Sequence, residues 1–159
     1  MRHIISILVE NQAGVLAQVS GLFSARGYNI ESLNVGITDN PRFSRMTIVS
    51  IGDDAVLEQI RKQLEKLVHV VKVSDFSEQS YVERELMLIK INAPATRRTE
   101  LMGLVEVFRA KIIDVSPTEM VVEISGTEDK VEAFAELLAP YGVKELARTG
   151  PVAMLRGTK

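Results

Sequence analysis

The chain changes its hydrophobic period in a fixed order, and then repeats that order. His3 to Glu10 alternates, with Ile5, Ile7 and Val9 on one face and Ile4 and Leu8 on the other, as in a strand buried on at least one side. After the turn-forming stretch Asn11-Gln-Ala-Gly14, residues Val15, Leu16, Val19, Leu22 and Phe23 fall on helical spacing. Gly27 stands where a left-handed C-terminal residue belongs. Ile30 to Thr38 alternates again, Asp39-Asn-Pro-Arg42 turns the chain, and Phe43 to Ile51 completes a hairpin. Gly52-Asp-Asp54 places carboxylates at a helix start, where the macrodipole favours them. Leu57, Ile60, Leu64 and Leu67 supply that helix's buried stripe, and Val68 to Asp75 reads as a β-branched strand. The order β-α-β-β-α-β is the ferredoxin-like arrangement.

Ser77-Glu-Gln-Ser80 is a polar break, after which the pattern resumes. Glu85 to Asn92 alternates, Leu101, Leu104, Val105 and Phe108 mark a helix, and Lys111 to Ser116 reads as a strand. Pro117-Thr118 turns the chain, Met120 to Ser125 pairs back, and Gly126-Thr127 opens a helix carrying Val131, Phe134 and Leu138. Val143 to Arg156 has room for a last strand, interrupted at Gly150-Pro151. The expected fold is therefore α+β, two ferredoxin-like units in tandem, the second βαββα with an optional last strand. The boundaries fall at residues 1–76, a linker over 77–81, and 82–159. By position Phe108 answers Phe23 and Asn92 answers Asn11, but no glycine follows Asn92 and no asparagine answers Asn29. Only the first unit carries the full glycine- and asparagine-lined corner.

Composition removes most chemistry. The 159 residues include no cysteine and two histidines, so a thiolate site, a disulfide, a cysteine nucleophile and a multi-histidine zinc site drop out. Absence of cysteine fits a cytoplasmic protein. Nineteen basic against 21 acidic residues argue against non-specific nucleic-acid binding. An RNA-recognition motif of this topology needs aromatics on its central strands, where this chain has Ile5, Ile7, Met46 and Ile48. There is no GxSxG, Walker A, HExxH or GxGxxG motif, and neither catalytic nor metal-ligating residues are assigned. His69 reads as a partly buried side chain. Arg97-Arg98 reads as a solvated charge cluster, with anion binding at a helix start as the sharper option.

The Asn11–Gly14 corner offers more. A glycine at a helix start admits a ligand close to the backbone, the N–H groups of Gly14 and Val15 favour a carboxylate, and the Asn11 amide oxygen accepts from an ammonium group. Such a site suits a free amino acid, with Asn29 returning to the same neighbourhood or facing another subunit. Spacing alone leaves this reading level with a simpler one, in which Asn11 caps the helix and Gly14 only permits a turn.

Three stretches closely resemble the small regulatory subunits of acetohydroxyacid synthase (acetolactate synthase): Leu8-Val-Glu-Asn-Gln-Ala-Gly-Val-Leu16, Gly21-Leu-Phe-Ser-Ala-Arg-Gly-Tyr-Asn-Ile-Glu-Ser-Leu33 and Ser44-Arg-Met-Thr-Ile48. Val82-Glu-Arg-Glu-Leu-Met-Leu-Ile-Lys-Ile91 and Ile112-Ile-Asp-Val115 resemble the second domain of the same subunits. The resemblance implies that residues 1–76 form an ACT domain, an amino-acid-binding regulatory module. It further implies a chain that is not itself an enzyme and holds no cofactor. The partner is then a large catalytic subunit using thiamine diphosphate, magnesium and FAD, which this chain activates and subjects to valine feedback inhibition in branched-chain amino-acid (valine and isoleucine) biosynthesis. It implies homodimerisation through ACT domains, with valine at that interface. The matching positions are Asn11, Gly14 and Asn29, with Ala13, Val15 and Ile30 as neighbours. The alternative is a free-standing amino-acid sensor acting on another partner.

Overall fold

The computed structural model describes residues 1–157. In the first unit, β1 (Arg2–Glu10), α1 (Val15–Ala25), β2 (Asn29–Ile37), β3 (Phe43–Ile51), α2 (Asp54–Glu65) and β4 (Val70–Asp75) follow in the expected order. Next come β5 (Tyr81–Asn92), whose first two residues still belong to the first unit, and, in the second unit, α3 (Arg98–Val107), β6 (Lys111–Val115), β7 (Glu119–Gly126), α4 (Glu128–Leu138) and β8 (Val143–Arg148). A last short strand, β9 (Val152–Leu155), follows the break at Gly150-Pro151. Both sheets are antiparallel, ordered β2-β3-β1-β4 and β6-β7-β5-β8. No helix among the described residues is long and apolar enough to cross a membrane.

Periodicity explains each core. Ile5, Ile7 and Val9 lie on one face of β1 and meet Met46 and Ile48 of β3, with Val19, Phe23, Leu57, Ile60 and Leu64 closing over them from α1 and α2. In the second unit Met87, Ile89 and Ile91 pack with Leu101, Val122, Ile124, Val131, Phe134 and Leu138. Burying each such side chain is worth about 1.5–3 kcal/mol. Helix starts follow their cap residues. The Asp53 carboxylate accepts from the Ala55 N–H at 2.7 Å, and the Thr127 hydroxyl from the Lys130 N–H at 3.4 Å.

The chain groups into two compact units, Met1–Val82 with the segment from Val152 onward, and Glu83–Pro151. Within the first, β9 brings Ala153 into a small cluster with Ile4, Val49, Phe76 and Tyr81, on the sheet face away from the helices. The Arg156 N–H donates to Ser80 C=O at 3.0 Å.

The repeat extends to irregularities. β1 shifts register on β4 between Leu8 and Val9, and β5 shifts on β8 between Lys90 and Ile91. β2 shifts on β3 between Ile30 and Ser32, and β6 on β7 between Ile112 and Asp114. Both pairs are 82 positions apart (8 to 90, 30 to 112). This offset corrects two of the positional correspondences expected from the sequence. Asn11 donates its N–H to Arg42 C=O as Ala93 does to Thr118 C=O, so Ala93 answers Asn11, and Asn92 answers Glu10. Phe23 C=O accepts from Tyr28 as Val105 C=O accepts from Ala110, so Val105, not Phe108, answers Phe23.

Candidate functional site

At the end of β1 the chain turns sharply into α1. Gly14 occupies the N-cap position with φ +89, in the left-handed region, and no side chain caps the helix. Asn11 is not the cap: its Nδ2 donates to Pro41 C=O at 3.1 Å, pinning the corner to the β2–β3 hairpin. The capping reading therefore fails. Gly14 begins the helix by accepting from the Gln18 N–H at 3.1 Å. First-turn N–H groups have no intrahelical partner. That of Val15 reaches Gln12 C=O only at 3.5 Å, the limit of a hydrogen bond. Asn11, Ala13 and Gly14 are exposed, whereas the Val15 side chain is buried in the core, so Val15 offers the corner its backbone. A Cβ on Gly14 would touch nothing within 4 Å, so the glycine is required by its backbone angle rather than by space.

Asn29 and Ile30 lie elsewhere. Asn29 opens β2 opposite Ile51, and Ile51 in turn faces Arg2 at the beginning of β1, whereas Glu10 at the end of β1 faces Phe43. Within one chain Asn11 and Asn29 thus sit at opposite ends of β3, roughly 30 Å apart at ~3.3 Å per residue. Asn29 is exposed, its Nδ2 donating to Glu31 Oε1 at 3.3 Å and its C=O accepting from Ser50 Oγ at 2.8 Å. Ile30 is half-buried against the core. One chain assembles Asn11, Ala13, Gly14 and Val15, and holds Asn29 and Ile30 apart from them.

Both histidines have partners that spacing did not reveal. His69 Nδ1 lies 2.9 Å from Glu10 Oε2, beside the corner. His3 is buried, its two ring nitrogens 2.7 Å from Asp54 Oδ1 and 2.9 Å from Asp75 Oδ2. Burial opposes ionisation of Asp75 most strongly, but it is outweighed by hydrogen bonds from the Ser77 hydroxyl and N–H and by His3, so this carboxyl titrates below its usual range. The cluster borders a cavity of about 440 Å³ over Ile5, Leu57 and Val73. Its signal was present in the sequence: His3 shares a period-two face with Ile5 and Ile7, a polar residue in a core-facing register. In the second unit Arg98 is committed to the carbonyls of Ala93 and Ser116, and Arg97 lies 5.0 Å over the Tyr141 ring. The anion-binding option for Arg97-Arg98 is thereby withdrawn. Among the described residues no group of three or more His, Asp or Glu side chains is placed to hold a metal ion.

Fold and corner together define a regulatory protein of the ACT class joined to a second ferredoxin-like unit. The family model described as "AHAS small subunit-like ACT domain" matches residues 5–72, and that described as "Small subunit of acetolactate synthase" matches 84–157. A probable acetolactate synthase small subunit from Archaeoglobus fulgidus is 57% identical over 100% of this chain and 99% of the relative. The acetolactate synthase isozyme 3 small subunit of Escherichia coli is 51% identical over 100% and 98%. A crystal structure of the Thermotoga maritima acetolactate synthase small subunit superposes with TM-score 0.90 at 46% identity, covering 100% of this chain and 99% of that one. The chain belongs to the acetolactate synthase small-subunit family.

Proposed function

We propose that this chain activates an acetolactate synthase large subunit and makes it sensitive to valine, in the cytoplasm, carrying no catalytic centre of its own. Residues 1–76 act as the sensing domain, and the large subunit supplies thiamine diphosphate, magnesium and FAD. Membership of a small-subunit family favours this partner over a free-standing sensor.

The observation that carries the reading is the separation of Asn11 and Asn29 along the sheet. β2 is an edge strand with six residues, Ser32–Ile37, beyond its register shift, and Val35 and Ile37 are exposed. An edge of this length is a template for another strand. Antiparallel pairing of two β2 strands about a two-fold axis runs one copy's Asn29 toward the other copy's Ile37, and so toward the end of the sheet that carries Asn11 and Gly14. β6 is five residues long with its shift inside it, a blunted edge less suited to pairing. Valine then sets its carboxylate on the Gly14 and Val15 N–H groups and its ammonium on Asn11 and the partner copy's asparagine, between Ala13 and Ile30. Discrimination against isoleucine rests on one methylene, about 1–3 kcal/mol.

The test is reconstitution with a large subunit. Stimulation on adding the wild-type chain, followed by inhibition with valine, is expected. Gly14→Asp, which repels a carboxylate, abolishes the valine response, whereas Gly14→Asn, of the same size and equally tolerant of the left-handed angle, weakens it less. A large subunit indifferent to this chain, or a Gly14→Asp holoenzyme inhibited normally, refutes the proposal.

A further inference from the structure

Asn29 is held more firmly than an exposed residue at the end of an edge strand requires. Regular pairing reaches it through two positions, Asn29 opposite Ile51 and Ile30 opposite Ser50, before β2 shifts register. Further contacts make up for that. Ser50, fully buried, donates its hydroxyl to Asn29 C=O at 2.8 Å. Tyr28 donates its N–H to Phe23 C=O at 2.9 Å and sets its ring edge-on to that of Phe23, with 6.5 Å between centroids. The Tyr28 hydroxyl donates to Asp53 C=O, at the start of α2. The same ring lies against Gly52, where a Cβ would stand 2.5 Å from Tyr28 Cζ and 2.6 Å from Cε1. Gly52 is outside the left-handed region, so close approach and not backbone angle demands the glycine. With its Nδ2 given to Glu31 Oε1 at 3.3 Å, the Asn29 amide keeps its oxygen for another donor.

Resting on the valine-sensing reading, we propose that Ser50, Tyr28 and Gly52 are positioning residues for Asn29, and that they set how tightly the effector is held at the partner copy's corner while leaving their own chain's corner untouched. Asn29 and Asn11 of one chain stand at opposite ends of β3. In the paired arrangement the Asn29 of each copy serves the corner of the other, and so do the residues behind it. A hydrogen bond to an ammonium group depends steeply on distance and angle, so the placement of Asn29 decides its worth. Removing the Ser50 hydroxyl frees Asn29 C=O from its buried donor. A methyl on Gly52 pushes against a ring that Phe23 and Asp53 C=O keep from turning away, and the displacement passes to Asn29 through one peptide bond. Neither change falls on the corner itself, Asn11 to Val15.

Complementation between two chains reads this. Asn11→Ala and Asn29→Ala chains, co-expressed and pairing as proposed, form one kind of working site, which takes Asn29 from the Asn11→Ala chain and Asn11 from the Asn29→Ala chain. Gly52→Ala added to the Asn11→Ala chain is expected to weaken L-valine binding at this site about tenfold by calorimetry, part of the worth of one hydrogen bond to a charged group. The same substitution added to the Asn29→Ala chain leaves the affinity unchanged. Ser50→Ala, which adds no bulk, follows the same asymmetry. A purely structural role acts from either chain, so equal weakening in both placements overturns the inference, as does no weakening in either, and both results leave valine sensing in place. If the wild type binds no valine, or the parent pair restores no site, the sensing reading itself fails, and this inference with it.

Discussion

Gly27 and Arg109 occupy the same place in the two units, each in the left-handed conformation after its first helix, at φ +71 and +55. The Gly27 N–H donates to Ser24 C=O at 3.0 Å and that of Arg109 to Glu106 C=O at 3.0 Å, so both helices end in the same cap. The second helix does not run directly into its strand. It turns through the same geometry without the glycine. A side chain in that region costs about 1–2 kcal/mol, partly offset by the smaller freedom of a non-glycine chain when unfolded. Arg109→Gly is accordingly expected to raise stability by about 0.5–1 kcal/mol in a denaturant titration.

That turn also shows where the sequence stops being informative. Periodicity assigns a face to each residue, and so Ile5, Phe23, Met87 and Phe134 were readable as core. Cap chemistry is local, and so the helix starts at Asp53 and Thr127 were readable too. Register is not local. The match of Ala93 to Asn11 depends on strand shifts that leave no residue signature. Gly14 and Asn11 stood out because helix-start geometry is encoded in neighbouring residues. The distance between Asn11 and Asn29 depends on β3 lying antiparallel between β1 and β2, which no short motif records.

The second unit contains a buried carboxylate that is compensated by an arginine. Glu85, its side chain 1% exposed, accepts from Arg148 Nε at 3.1 Å and from Nη2, while Arg148 also reaches Glu132 at 2.6 Å. Burial works against the Arg148 charge most strongly, but the hydrogen bonds to Glu132 and Glu85 outweigh it and raise its pKa. Arg148→Met should destabilise by about 3 kcal/mol, because a carboxylate is stranded in the interior. Replacing Glu85 as well, in Glu85→Gln with Arg148→Met, should recover part of that loss, measured by thermal unfolding of the double variant.

Asp75 predicts an acid limb. Its folded pKa lies below the unfolded value, so its contribution is complete above the unfolded carboxylate range and is lost as pH falls through the folded value. Stability should therefore decline on acidification below about pH 4. Asp75→Asn should be less stable near neutrality and show a shallower decline, followed by denaturant midpoints across that range. The side chain is 33% exposed, so solvent screening keeps the difference small.

The most direct measurement concerns the proposed valine site, divided between two copies. Asn11→Ala and Asn29→Ala chains each lack half of every site, so neither should bind valine by calorimetry. Co-expressed in equal amounts and pairing as proposed, they form mixed dimers in which one site draws Asn11 from one chain and Asn29 from the other, both intact. Random pairing then restores about a quarter of the wild-type sites. Recovery near that level is the predicted result. No recovery in mixed dimers, or undiminished valine binding by either variant alone, would contradict a site shared across β2.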